Sequence, residues 1–185
     1  MKHQLEVTNP FDGSPVGEVK LSSASEVDTA LAIAEKTHKA NKKGLPKHER
    51  IAVLKNTAEI MKGRADELAL LIASEGGKPL IDAKVEVERA IDGVETCAAE
   101  IANNAGMEIP MDLTSAGEGK IAFTTKEPIG IVVAVSAFNH PLNLIVHQVA
   151  PAIAAGNPVI VKPADDTPLS CEAFIKTLHQ AGLSP

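Results

Sequence analysis

Tryptophan and tyrosine are absent from the 185 residues, and phenylalanine occurs only four times. The ring-rich core common in domains of this size is therefore excluded, and any core must be aliphatic. Cysteine occurs twice, as Cys97 and Cys171. Neither position has the spacing of a disulfide framework or a metal-ligand pair. No His/Cys/carboxylate set has ligand spacing, so no metal is expected. No apolar run approaches the roughly 20 residues of a membrane helix, and the start Met1-Lys2-His3 lacks a secretory apolar region. These two absences argue against a membrane and give a cytoplasmic expectation. A net charge of −6 leaves no basic surplus, which speaks against a nucleic-acid partner, because phosphate binding needs clustered Lys and Arg. There is no G-x-G-x-x-G and no G-x-x-x-x-G-K-[ST], so a pyrophosphate cradle is missing or supplied by residues outside the chain. Repeats, heptads and low-complexity tracts are likewise missing.

What is present suits a globular protein: 44% of residues are hydrophobic, enough at this length for one good-sized core. The most informative stretch is Lys126–Ser170. Two apolar, β-branched runs, Ile129–Val135 and Val159–Val161, flank an amphipathic segment opening at Pro141. Continuous apolar runs read as strands covered on both faces, and this spacing predicts a parallel strand–helix–strand unit. Each strand ends in polar or special residues, Ser136-Ala137-Phe138-Asn139 and Lys162-Pro163-Ala164-Asp165. In open parallel sheets ligands bind beyond the carboxyl ends of strands, which places the candidate site there.

Upstream, Glu6–Val19 reads as a hairpin about a turn rich in Asp, Gly and Pro. Ser23 or Ser25 caps a helix running to about Asn41, with Val27, Ala30, Leu31 and Ala34 on its apolar face. After Gly44-Leu45-Pro46, further helices are predicted over Lys47–Met61 (Ile51, Leu54, Ala58, Met61 inward), Ala65–Glu75 (Leu68, Leu71, Ile72 inward), and from Pro79 to about Asn104 (Val87, Ile91, Val94, Ala98 on one face). Residues 105–118 lack a period and read as a connecting loop, and Gly119–Lys126 alternates as an extended strand. Gly156 fits a left-handed helix C-cap rather than a phosphate loop. Cys97 and Cys171 read as small hydrophobes, although a helix amino terminus at Cys171 would lower its thiol pKa. His147 reads as a buried or interface histidine, while His3, His38, His48 and His179 read as surface residues.

Lys126–Ser170 resembles the cofactor-binding segment of the NAD(P)-dependent aldehyde dehydrogenases. Asn9-Pro10 followed by Gly13 is similar to that family's amino-terminal hairpin, and Glu75-Gly76-Gly77-Lys78-Pro79 to a motif of its first helices. The pieces are collinear over the whole chain. The resemblance implies an α/β fold: a hairpin and helical region (1–118), an extended oligomerisation-type strand (119–128), and the start of a Rossmann-like sheet (129–185). It also implies a homo-oligomer, a small aldehyde substrate and NAD or NADP as cofactor. The family's catalytic glutamate and nucleophilic cysteine match no position here, so the expectation is an amino-terminal fragment or one piece of a split gene product, inactive alone.

By resemblance, Asn139 matches the asparagine that holds the oxyanion, a role suited to a neutral amide donor. Capping of the following helix is the alternative. Lys162 matches the residue that binds the adenosine ribose. Asp165, where Glu or Ser is frequent, would favour NAD by repelling a 2′-phosphate, with Asp166 as the other candidate ribose partner. Val135, Ser136, Ala137, Phe138 and Ala164 match positions lining the cofactor slot. His140 stands where an aromatic is usual and is not expected to be catalytic. Two non-catalytic readings remain: a nucleotide-binding module and a subunit-assembly piece pairing through 119–126. The run Phe138-Asn139-His140-Pro141 leans toward small polar aldehydes such as lactaldehyde or semialdehydes.

Overall fold

The hairpin at the amino terminus is built from β1 (Gln4–Thr8) and β2 (Pro15–Lys20), antiparallel, with the register slipping between Val7 and Thr8. The computed structural model describes residues 4–185, so His3 lies outside the described residues. Four helices follow: α1 (Ala24–Ala40), α2 (Lys47–Gly63), α3 (Ala65–Gly76) and α4 (Leu80–Asn103). A two-residue pair, β3 (Glu108–Ile109) with β4 (Ala122–Phe123), precedes the parallel unit of β5 (Val132–Val135), α5 (Pro141–Ala155) and β6 (Val159–Lys162). Helix α6 (Pro168–Gln180) closes the order. The architecture is mixed α/β, as the sequence pattern predicts.

Local chemistry accounts for the boundaries. Ser23 and Glu26 form a reciprocal capping box at α1, with Ser23 N–H donating to Glu26 Oε2 at 2.8 Å. Gly77 (φ 65°) and Gly156 (φ 88°) end α3 and α5 in the left-handed region. The turn before α2 comes so close to the end of α5 that a Cβ on Gly44 would lie 2.2 Å from the Gly156 carbonyl oxygen. Arg50 of α2 donates to the Ala154 carbonyl, satisfying one free acceptor at the carboxyl end of α5.

The core is aliphatic apart from Phe174. Leu54, Ala58 and Met61 of α2, Leu68 and Ile72 of α3, and Val87, Ile91, Val94 and Ala98 of α4 enclose α5 through Leu142, Ile145, Val146 and Val149. Ile51 packs half-buried against this core, and Leu71, expected inward, is only half-buried and does not join it.

Four expectations are corrected. Of the expected face of α1, Ala34 is buried and Ala30 half-buried, whereas Val27 and Leu31 are exposed. Periodicity finds the apolar stripe but not which part of it a neighbour covers. The strand expected over 119–126 shrinks to Ala122–Phe123, and its partner Glu108–Ile109 comes from the stretch read as loop. A two-residue pairing leaves no period to detect. Strand β5 starts at Val132 rather than Ile129, because Pro128 brings no N–H and Gly130 takes φ 126°. The strand is also covered on one face only: Ala134 is buried, whereas Val133 and Val135 are 56% and 57% exposed. The apolar run fits a sheet with layers on both sides, and this chain supplies one of them at β5.

Candidate functional site

Strands β5 and β6 are parallel, with Val135 opposite Lys162 and Ser136 N–H donating to the Lys162 carbonyl at 2.9 Å. Equal register brings both carboxyl ends to one rim. Phe138, Asn139, His140 and Pro141 leave the first strand, and Asp165, Asp166 and Thr167 follow the second. All seven line one crevice of about 950 Å³. The opposite walls come from β1, the end of α3 and the first turns of α4, including Glu75, Lys78, Glu86 and Arg89.

Asn139 is exposed on this wall. It does not cap α5: the N-cap position is His140, without a side-chain cap. The free N–H groups at the start of that helix are met from elsewhere. Glu86 of α4, 1% exposed, accepts from Leu142 N–H at 3.0 Å and Asn143 N–H at 3.1 Å through Oε1. Its Oε2 pairs with Lys78 Nζ and lies 3.3 Å from His140 Nδ1. Lys78 Nζ is 3.0 Å from the same His140 Nδ1. An ammonium can only donate, so Nδ1 is the acceptor in its contact with Lys78.

Helix α6 is held in the same way. Glu75, the last buried residue of α3, accepts from Leu169 N–H at 2.8 Å and Ser170 N–H at 2.9 Å, and from the Ser170 hydroxyl. Burial pushes the Glu75 carboxyl above its ordinary value despite these donors. Thr167, at the cap position of α6, donates to the Phe138 carbonyl at 3.3 Å. Two buried carboxylates thus occupy two helix amino termini on either side of Asn139, where the helix dipole favours negative charge. Sequence reading missed both as caps, because their partners lie 56 and 95 positions away. The available signal was a glutamate on the apolar face of α4, between Ala83 and Val87.

The Lys162 ammonium pairs with Asp165 Oδ1 at 2.5 Å, and both side chains are exposed. Asp165 lines the crevice and Lys162 does not, so the ammonium meets it only through this pair. Donor and acceptor together complement a vicinal diol, which fits the ribose half of a dinucleotide. Ser136 is buried, Ala137 and Ala164 are half-buried, and Phe138 is 62% exposed. The backbone of Val135 is already engaged: its N–H donates to Gln148 Oε1 at 3.0 Å and its carbonyl accepts from Gln148 Nε2 at 2.9 Å. Arg89, missed from sequence, is exposed on the crevice wall and forms no ion pair among the described residues.

The thiols are far from nucleophilic. Cys171 is fully buried in α6 and pushed up to about 12 by burial and by the Glu75 and Glu172 charges, which overturns a lowered pKa from the helix terminus. Burial raises Cys97 as well. His147 is exposed, which removes the buried reading and leaves the interface one, and His38 is half-buried rather than on the surface. Among the described residues no group of three or more His, Cys, Asp or Glu could hold a metal ion, and no helix is long and apolar enough to cross a membrane.

Comparisons with known proteins identify the family. The aldehyde dehydrogenase family model matches residues 1–185. Aspartate-semialdehyde dehydrogenase 1 from Pseudomonas canavaninivorans is 40% identical over 179 residues, covering 97% of this chain and 38% of the relative. Among solved structures, aldehyde dehydrogenase 21 from Physcomitrella patens, in complex with the reaction product succinate, superposes with a TM-score of 0.91 at 37% identity, over 97% of this chain and 37% of that one. Glyceraldehyde-3-phosphate dehydrogenase from Methanocaldococcus jannaschii, complexed with NADP, gives 0.88 at 36% identity, over 96% and 37%. The chain therefore spans somewhat over a third of the length of the proteins it matches.

Proposed function

The chain belongs to the aldehyde dehydrogenase family, and from that premise we propose that it forms the amino-terminal part of an enzyme oxidising an aldehyde to a carboxylic acid with NAD(P). The overall reaction consumes the aldehyde, water and NAD(P)⁺ and yields the acid, NAD(P)H and a proton. One observation carries the proposal: the matched register of β5 and β6 delivers Asn139 and Asp165 to one crevice wall.

In this reading the Asn139 amide donates a hydrogen bond to the oxygen that gains negative charge as the carbonyl is attacked. A neutral amide does so without exchanging a proton of its own. Lys162 donates to, and Asp165 accepts from, the adenosine ribose hydroxyls. Ser136, Ala137, Phe138 and Ala164, with the Val135 side chain, form part of the cofactor floor. The bound dinucleotide would supply the hydride acceptor. Asp165 supports a preference for NAD, since its carboxylate repels a 2′-phosphate. The substrate proposed is a small aldehyde bearing an acidic group, because Arg89 stands on the opposite wall of the same crevice without a carboxylate partner among the described residues. The 119–128 segment is proposed as a contact between copies in a homo-oligomer.

Neither thiol of the chain is set up to attack a carbonyl, so the nucleophile is proposed to lie on another part of the enzyme. The test measures NAD(P)H formation with a semialdehyde. The protein expressed with its complete reading frame is expected to turn over, Asn139→Ala to slow it about 100-fold, and the 185-residue chain alone to be inactive. Turnover by the isolated chain, or an Asn139→Ala variant as fast as the parent, contradicts the proposal.

A further inference from the structure

The Asn139 side chain makes no hydrogen bond among the described residues. The point from which it departs, its Cα–Cβ bond, is therefore set by the backbone on either side. On the amino side the Phe138 carbonyl is held by Thr167 Oγ1 at 3.3 Å. On the carboxyl side one buried carboxylate, Glu86, holds the first turn of α5 directly and His140 through Lys78. We propose that Glu86, neutralised by Lys78 and linked through it to His140, is the positioning residue for Asn139. The inference rests on the proposed oxyanion role of Asn139.

Geometry makes Glu86 suited to this. Oε1 is fixed by two N–H groups of α5, so the carboxylate cannot rotate freely. Oε2 then fixes the Lys78 ammonium, which is mostly buried, and that ammonium grips the His140 ring by Nδ1. His140, Leu142 and Asn143 are all tied to this carboxylate, directly or through Lys78, and Pro141 between them limits φ. A donor for developing charge has to sit within a fraction of an ångström of its best place, and misplacement by about 1 Å can cost on the order of 100-fold in rate. Charged groups of both signs surround Glu86. Lys78 contacts it, Arg89 lies one turn further along α4, His140 faces it from α5, and Glu75, Asp82, Asp165 and Asp166 line the same crevice.

A double-mutant cycle tests the proposal in the enzyme expressed with its complete reading frame. Glu86→Ala and Glu86→Gln are made with Asn139 intact and in the Asn139→Ala background, with folding followed by circular dichroism. With Asn139 present, Glu86→Ala is expected to lower kcat about 10- to 100-fold while KM changes less than about two-fold. Glu86→Gln, whose amide oxygen still accepts from α5, is expected to recover part of that loss and serves alone should the alanine variant not fold. In the Asn139→Ala background the same changes should cost little further rate. Equal costs in both backgrounds would show that Glu86 only stabilises the fold, and the inference is then wrong while the proposed reaction stands. An Asn139→Ala variant with unchanged kcat removes the proposed reaction itself, and the inference with it.

Discussion

At Cys171 two effects compete: a helix amino terminus lowers a thiol pKa, and burial raises it. The sequence displays only the first, through Thr167-Pro168. Full burial beside the Glu75 charge decides the outcome and moves the thiol up to about 12. Cys171 is accordingly expected to resist iodoacetamide at mildly alkaline pH in the folded protein, with Cys97 labelled ahead of it, and both to react in urea. Mass spectrometry of the labelled peptides reads this directly, and rapid native labelling of Cys171 contradicts the burial argument. Asp165 can be tested at the same scale. Its exchange for Ser removes the charge proposed to repel a 2′-phosphate, and the kcat/KM ratio for NADP over NAD is expected to rise about tenfold or more. An unchanged ratio would assign the discrimination elsewhere, with Asp166 the next candidate.

Elements here are held together at their ends. Glu75 and Glu86 fill the amino termini of α6 and α5, and Arg50 meets the carboxyl end of α5. Because burial raises the Glu75 pKa, the folded state binds its proton more tightly than the unfolded chain does. Its contribution to stability is therefore complete below the ordinary value of 4.5 and is lost as pH rises through the elevated folded value. Urea denaturation over that window should show the parent losing stability with rising pH and Glu75→Gln losing less. Equal slopes would mean that Glu75 is not the group responsible. Gly44 tests the other end of α5. Its φ is 69°, and a side chain there would meet the Gly156 carbonyl oxygen at 2.2 Å, so Gly44→Ala is expected to cost at least about 2 kcal/mol. A smaller loss in the same denaturation experiment would show that this contact yields.

For the molecule as a whole, the consequential feature is the apolar surface left open. Val133 and Val135 on β5, Phe123 on β4 and Ile121 beside it are all exposed. A groove of about 650 Å³ between α1, β6 and α6 is lined by Ile33, Val159, Val161 and Ile175. Exposed apolar surface and an open strand edge favour association. The 185-residue chain is expected to show an apparent mass above the monomer in light scattering, and Phe123→Asp to lower it if the 119–128 segment carries the contact. A monomer at all concentrations would remove that assembly proposal.

Several features were settled by local sequence alone. Ser23 or Ser25 marks the start of α1, Gly77 and Gly156 mark helix ends, and the helical period identifies most of the inward faces of α2, α3 and α4. Each depends on interactions within a few positions of the chain, so the pattern is written where it acts. The parallel unit was legible for the same reason, its two strands and helix following one another without interruption. Other features arose only when distant segments met. The pairing of Glu108–Ile109 with Ala122–Phe123, the outward turn of Val27 and Leu31, and the high pKa of Cys171 all depend on what packs alongside. So do the two carboxylates that clamp the helices around Asn139, since burial and long-range hydrogen bonds are properties of a neighbourhood that no window of sequence contains.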